Sequence, residues 1–168
     1  MTLFWLSLLW SLDAHALETE RKRDGEFVVV SAVLGHPHES VRNIFQQHRT
    51  TMKLGSAIRS VKVTPMSNGC SQVEVVNKGF AKDLSYVAER CPTENGWHSK
   101  MTSSDDFEDH DILWEAIPHA QGSLVSIRVK VALKYPVPKF IVARMVGGAL
   151  EETLKKIDVL LSDGTKNP

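Results

Sequence analysis

Six closely spaced residues, Asp105, Asp106, Glu108, Asp109, His110 and Asp111, form the sharpest polar cluster in the sequence. Oxygen-rich sites of this kind hold calcium. The EF-hand spacing is absent, and a bend between two strands explains the acids equally well, so no metal ligand is assigned. His36 and His38 flank Pro37 in an H-x-H pair. Pro is favoured just inside a helix start, and a turn or cap is the simpler reading of the pair. The chain has no G-x-S-x-G, P-loop or G-x-G-x-x-G pattern. Common hydrolase and nucleotide sites therefore find no support, and neither catalytic residues nor a cofactor are assigned.

Cys70 and Cys91 flank a predicted hairpin. A turn centred between Phe80 and Ala81 sets Cys70 opposite Cys91 and Gln72 opposite Glu89. On the other face, Val73, Val75 and Asn77 then lie opposite Ala88, Tyr86 and Leu84. One register thus gathers the apolar residues on one face and both cysteines on the other. Opposed residues have Cβ atoms ~4.5–5.5 Å apart, close enough for a disulfide after modest adjustment. We predict a Cys70–Cys91 disulfide; the alternative is two free thiols on adjacent strands. Two cysteines without a further Cys or His at ligand spacing do not suggest a metal site.

The elements that position these residues are readable from periodicity. Residues 26–34 (EFVVVSAVL) are β-branched and read as a strand. A helix is expected over 37–49, with Val41, Ile44, Phe45 and His48 on its inner face, and a short second helix over 51–57. Strands follow over 58–64, 72–78, 84–91, 97–103, 111–117 and 124–134. In the last, Val125, Ile127, Val129, Val131 and Leu133 face one way, and Ser126, Arg128, Lys130 and Lys134 the other, as in a half-buried antiparallel strand. A long helix over 138–161 carries the stripe Ala143, Val146, Gly147, Leu150, Leu154, Ile157 and Leu161. Gly147-Gly148 in mid-helix suggests close packing against the sheet, or room left for a ligand. A curved sheet with one long amphipathic helix must bury that helix in its concave face.

The amino-terminal residues LFWLSLLWSL are too short a run to span a bilayer, which needs ~20 residues. They fit the apolar core of a signal peptide, and Ala14-His15-Ala16 matches a small-x-small cleavage pattern. The expected organisation is a signal peptide over 1–16, a linker over 17–25, one domain over 26–163 and a tail over 164–168. Arg21-Lys22-Arg23, flanked by Glu18 and Glu20, is read as part of the solvated linker. The expected location is periplasmic or secreted. The 168 residues include 20 Lys+Arg and 20 Asp+Glu. A neutral chain has no general electrostatic pull on nucleic acid, and no nucleic-acid partner is expected.

The α+β order of strand, short helices, strand meander and long helix resembles the START-like (SRPBCC) superfamily, in particular its polyketide cyclase/dehydrase and coenzyme-Q-binding branch. The local support is Asp106-Phe107 followed by Trp114, with Trp97 ahead of them and Tyr135-Pro136-Val137-Pro138-Lys139-Phe140 leading into the last helix. The resemblance implies a helix-grip fold: a curved antiparallel sheet wrapped around a long C-terminal helix, with an internal apolar cavity. Candidate cavity residues, chosen by facing, are Val73, Val75, Asn77, Leu84, Tyr86 and Ala88 on the hairpin. Met101, Trp114, Ile127, Val129, Met145 and Leu150 continue the same interior. Asn77 and Tyr86 are polar groups on an apolar face and need a partner, such as a ligand group or water.

The expected function is binding or carriage of a lipid, quinone or polyketide-like molecule without catalysis. The expected partner is that apolar molecule, with transient membrane contact. One alternative is a cyclase or dehydrase using Tyr86, His98 or His110 as acid or base. Another is a protein-interaction module with a filled core. Fold alone does not choose among them.

Overall fold

The computed structural model of the chain describes residues 17–46, 54–55, 57–79 and 82–164. The expected signal segment 1–16, His48, most of the expected second helix and residues 165–168 lie outside the described residues. Eight strands and two helices follow one another: β1 Thr19–Asp24, β2 Phe27–Leu34, α1 His38–Gln46, β3 Ile58–Pro65, β4 Ser71–Asn77, β5 Leu84–Pro92, β6 Gly96–Ser103, β7 Phe107–His119, β8 Gly122–Leu133 and α2 Lys139–Gly164. All strands join one antiparallel sheet in the order β1-β2-β8-β7-β6-β5-β4-β3. The first core strand, β2, therefore lies beside the last, β8. With α2, this is the expected helix-grip architecture. Among the described residues, no helix is long and apolar enough to cross a membrane.

The expected alternation in β8 is observed. Val125, Ile127 and Val129 are buried, whereas Ser126, Arg128 and Lys130 are half-exposed. On α2, Leu150, Leu154, Ile157 and Leu161 are buried and face β2, β8 and α1. Val41 and Phe45 of α1 join the same core, which includes Trp97 and Trp114. At the β7–β8 turn, Gly122 has φ 132°, and a Cβ there would collide with the Leu34 carbonyl oxygen. Only glycine fits that close approach.

Three expectations change. First, the segment read as a linker contains a strand: β1 pairs with β2 from Thr19↔Ala32 to Asp24↔Phe27. Its charges are those of a protected sheet edge rather than of a free linker. Second, β7 extends well beyond 111–117, because β8 offers partners along the whole of Phe107–His119. Pro118 is tolerated there. Ala116 N donates sideways to Asn95 O, and Pro118, two residues on, faces the same side beyond the end of β6, where no donor is required. Third, only one of the two mid-helix glycines is closely packed. Gly147 is covered by the Arg21 side chain, which bonds Glu151 across it at 2.8–2.9 Å, whereas Gly148 faces open space.

The hairpin register is the expected one, with Gln72↔Glu89, Val73↔Ala88, Val75↔Tyr86 and Asn77↔Leu84. Cys70 and Cys91 form a disulfide with Cα atoms 4.3 Å apart. Asp106 fastens the far end of this region. Its carboxylate accepts from Ser85 N (2.8 Å) and Tyr135 OH (2.8 Å) and pairs with Lys82 Nζ (2.6 Å). The start of β5 and the segment leading into α2 are thereby tied to one buried side chain. The Lys82 bond, followed by the Ser85 and Tyr135 bonds, holds the Asp106 carboxyl down at about 2.

Two outcomes are expected. Replacing both cysteines with alanine releases a cross-link spanning 21 positions. Loop-closure entropy makes this a loss of about 3 kcal/mol, or roughly 6–12 °C in melting temperature, measured by urea and thermal unfolding. Asp106 stabilises the fold above its unfolded pKa of 3.8, and this contribution disappears as pH falls toward about 2. Asp106→Asn is therefore destabilised relative to wild type at pH 7, and urea melts of the two converge near pH 2.

Candidate ligand-binding interior

Apolar residues on the concave side of the sheet form two groups. The larger lies under α1 and α2. The second comprises Val73, Val75 and Ala88, with Ile58, Val61, Val63 and Tyr86 packed against it on β3–β5. Between the groups lies a small cavity of about 60 Å³, whose walls include Val73, Val75, Tyr86, Arg90, Trp97 and Trp114. Four expected cavity residues thus meet: Val73, Val75, Tyr86 and Trp114. Ala88 is fully buried in the adjoining apolar group, and Met101 lies opposite it on β6, half-buried. Ile127, Val129 and Leu150 belong to the helix-covered core. Asn77 and Leu84 pair at the turn end of the hairpin, half-buried and away from the cavity wall. Met145 does not join the interior. It is 49% exposed, because it lies off the stripe through Ala143, Val146 and Leu150.

Arg90 is the group that the sequence reading did not single out. It follows Leu84, Tyr86 and Ala88 at intervals of two, which places it on the concave face, and it is only 1% exposed. Its guanidinium stacks on Trp97, 3.5 Å from the ring centroid. Nη2 donates to the Phe45 carbonyl of α1 (3.2 Å). Among the described residues, Nε and Nη1 have no partner, nor have the indole nitrogens of Trp97 and Trp114. Burial lowers the guanidinium to about 9, against the opposing influence of Tyr86, so it remains cationic at neutral pH.

The two indoles are directly opposed on β6 and β7 and stack at 5.2 Å, with Phe45 edge-on to Trp114 at 5.4 Å. Such aromatic pairs add about 0.5–1.5 kcal/mol beyond their burial. Tyr86 stacks on His110 at 4.2 Å. Burial raises the Tyr86 hydroxyl, with Arg90 opposing, and lowers His110 to about 4, with Asp111 and Asp109 opposing. His98 lies on the outer face, where its Nε2 meets Asp111 at 2.8 Å. Of the three acid–base candidates, Tyr86 and His110 share the interior and His98 does not.

The other polar motifs disperse. Lys82 takes Asp106, Lys130 takes Asp109 and His98 takes Asp111, so the acidic stretch does not converge on a cation. His36 meets Asp158 at 3.1 Å, whereas His38 donates to the Ala116 carbonyl at 2.9 Å. Cys70, Glu89 and Cys91 lie at metal-ligand spacing, but the two sulfurs are bonded to each other.

The chain matches no family model and no curated protein. Solved structures resemble it in fold. A START superfamily protein from Mycobacterium smegmatis superposes with a TM-score of 0.71 at 17% identity, covering 82% of this chain and 97% of that one. The di-domain ARO/CYC protein StfQ from the steffimycin biosynthetic pathway gives 0.68 at 6% identity, covering 83% of this chain and 51% of that one. Human StAR-related lipid transfer protein 5 gives 0.67 at 7% identity, covering 90% and 84%. The chain has the START-like (SRPBCC) helix-grip fold.

The titration of His110 tests the interior directly. The unfolded chain takes up this proton near 6.5, but the native state does so only near 4. Stability therefore falls as pH drops through that window. NMR of the imidazole resonances is expected to give His110 an apparent pKa of about 4, and His110→Phe is expected to flatten the loss of stability between pH 6.5 and 4.

Proposed function

We propose that this protein is an exported carrier that holds a hydrophobic small molecule, such as a lipid, a quinone or a polyketide-like compound, inside the helix-grip sheet. One observation carries the reading. The concave face of β3–β5 is apolar and lies outside the helix-covered core, and a cavity lined by Tyr86, Trp97 and Trp114 adjoins it. Concave, mostly apolar sites with a few oriented polar groups are the usual form of a small-molecule site. Val61 and Val63, half-buried, continue this apolar face toward the sheet edge. Among proteins of the same fold, a lipid transfer protein provides a precedent for apolar cargo.

Carriage is favoured over acid–base chemistry by the titration of the interior groups. Tyr86 is raised and His110 lowered, so neither exchanges a proton easily near neutral pH, where acid–base catalysis operates best. Export agrees with the disulfide, which persists in oxidising compartments. Transient membrane contact would use the start of α2. Tyr135, Val137 and Phe140 are exposed there, Phe140 by 70%, beside the cations Lys139 and Arg144.

The test is to express the full-length chain, extract the purified protein with organic solvent and identify the extract by mass spectrometry. A stoichiometric apolar molecule is the expected result. An empty extract, together with no stabilisation by added lipids or quinones, would overturn the reading.

A further inference from the structure

We propose that the interior is built for the carboxylate of an apolar acid, with Arg90 as its anchor; this rests on the binding function proposed above and specifies the ligand class. The argument begins with charge. Arg90 is a cation in an apolar interior, stacked on Trp97, and among the described residues no carboxylate contributes to its electrostatics. A buried charge without a counter-charge is costly. A monoanionic head group would supply that counter-charge. A neutral head such as an alcohol would leave the cation uncompensated, and a dianionic phosphate would exchange one buried net charge for another.

Hydrogen bonding agrees with charge. A guanidinium carries five N–H donors and no acceptor, and an indole nitrogen only donates. Nη2 uses one hydrogen on the Phe45 carbonyl, while Nε, Nη1 and the indole nitrogens of Trp97 and Trp114 lack partners among the described residues. The Phe45 bond takes the Nη2 hydrogen on one edge of the guanidinium; on the other edge a carboxylate can accept from the second Nη2 hydrogen together with Nε or Nη1, and two parallel bonds form. These unpartnered groups on residues of the cavity wall are all donors, so the complementary ligand is an acceptor. Size agrees as well. The cavity of about 60 Å³ has room for a head group beside Arg90. The tail has Ile58, Val73 and Val75 on the same wall.

The experiment compares three probes with one tail, sub-micellar dodecanoate, dodecanol and dodecyl phosphate, binding to the full-length protein by calorimetry and by quenching of tryptophan fluorescence. Dodecanoate is expected to bind at least about tenfold more tightly than dodecanol, as one charge-assisted hydrogen bond implies. In Arg90→Gln the preference is expected to fall to within about twofold, while dodecanol affinity is retained; Arg90→Lys keeps the charge without the fork and is expected to lie between. Carboxyl-labelled dodecanoate followed by NMR should titrate below its value in water when bound. The wild-type comparison and the NMR titration hold even where a variant fails to fold.

Equal affinity for acid and alcohol would mean that water alone satisfies Arg90, and would overturn the anchor while leaving the carrier reading intact. Tighter binding of dodecyl phosphate than of dodecanoate would overturn the choice of carboxylate. Failure of all three probes to bind would count against the carrier reading itself.

Discussion

A guanidinium held inside an apolar sheet face is the constraint around which the interior is arranged. Removing Arg90 from water carries a large desolvation cost, and its surroundings offset only part of it. The Trp97 ring lies flat against it, the Phe45 carbonyl accepts one bond, and Trp114 supports Trp97 from the next strand. These contacts join β5, β6, β7 and α1. Arg90 therefore links the end of the short helix to the middle of the sheet. It also divides the concave surface into the portion buried by the helices and the portion on β3–β5 that the second apolar group occupies.

The remaining polar groups follow a different rule. On the outer face and at the sheet edges, acids and bases pair locally in geometries that water screens, so each adds little to stability. Lys62 with Glu74 on β3–β4, and Lys130 with Glu26 and Asp109, are of this kind. Their role is to keep the outer surface wet and the edge strands unattractive to other chains. Asp106 is the exception. It is buried and bonded from three directions, joining two sequence-distant segments. A charge held in this way orders the chain around it, whereas Arg90 is left with unpartnered donors. Among the described residues one buried ion is structurally satisfied and the other is not, and this contrast underlies the binding role proposed for the second.

The acidic stretch illustrates why residue clusters in a sequence are poor guides to sites. Asp106, Asp109, His110 and Asp111 are neighbours in the chain. In a strand, however, successive side chains point to opposite faces, so His110 turns inward against Tyr86 while Asp111 turns outward to His98. The same alternation, read along β5, would have placed Arg90 inside with Tyr86 and Ala88. The signal was a charged residue in phase with an apolar face.

What the sequence determined by itself was everything governed by local periodicity: the strand meander, the stripe of α2, the hairpin register and, through that register, the pairing of Cys70 with Cys91. A period of two or of 3.6 residues is written into neighbouring positions, so no distant partner is needed to read it. The tertiary structure alone decided what each exposed-looking group would meet. Arg21 became part of an edge strand and covered Gly147, Met145 turned to solvent, and Arg90 found an indole and one carbonyl but, among the described residues, no anion. Those outcomes depend on which distant segments pack together, and a side chain's charge is balanced by its neighbours in space, not by its neighbours in the chain.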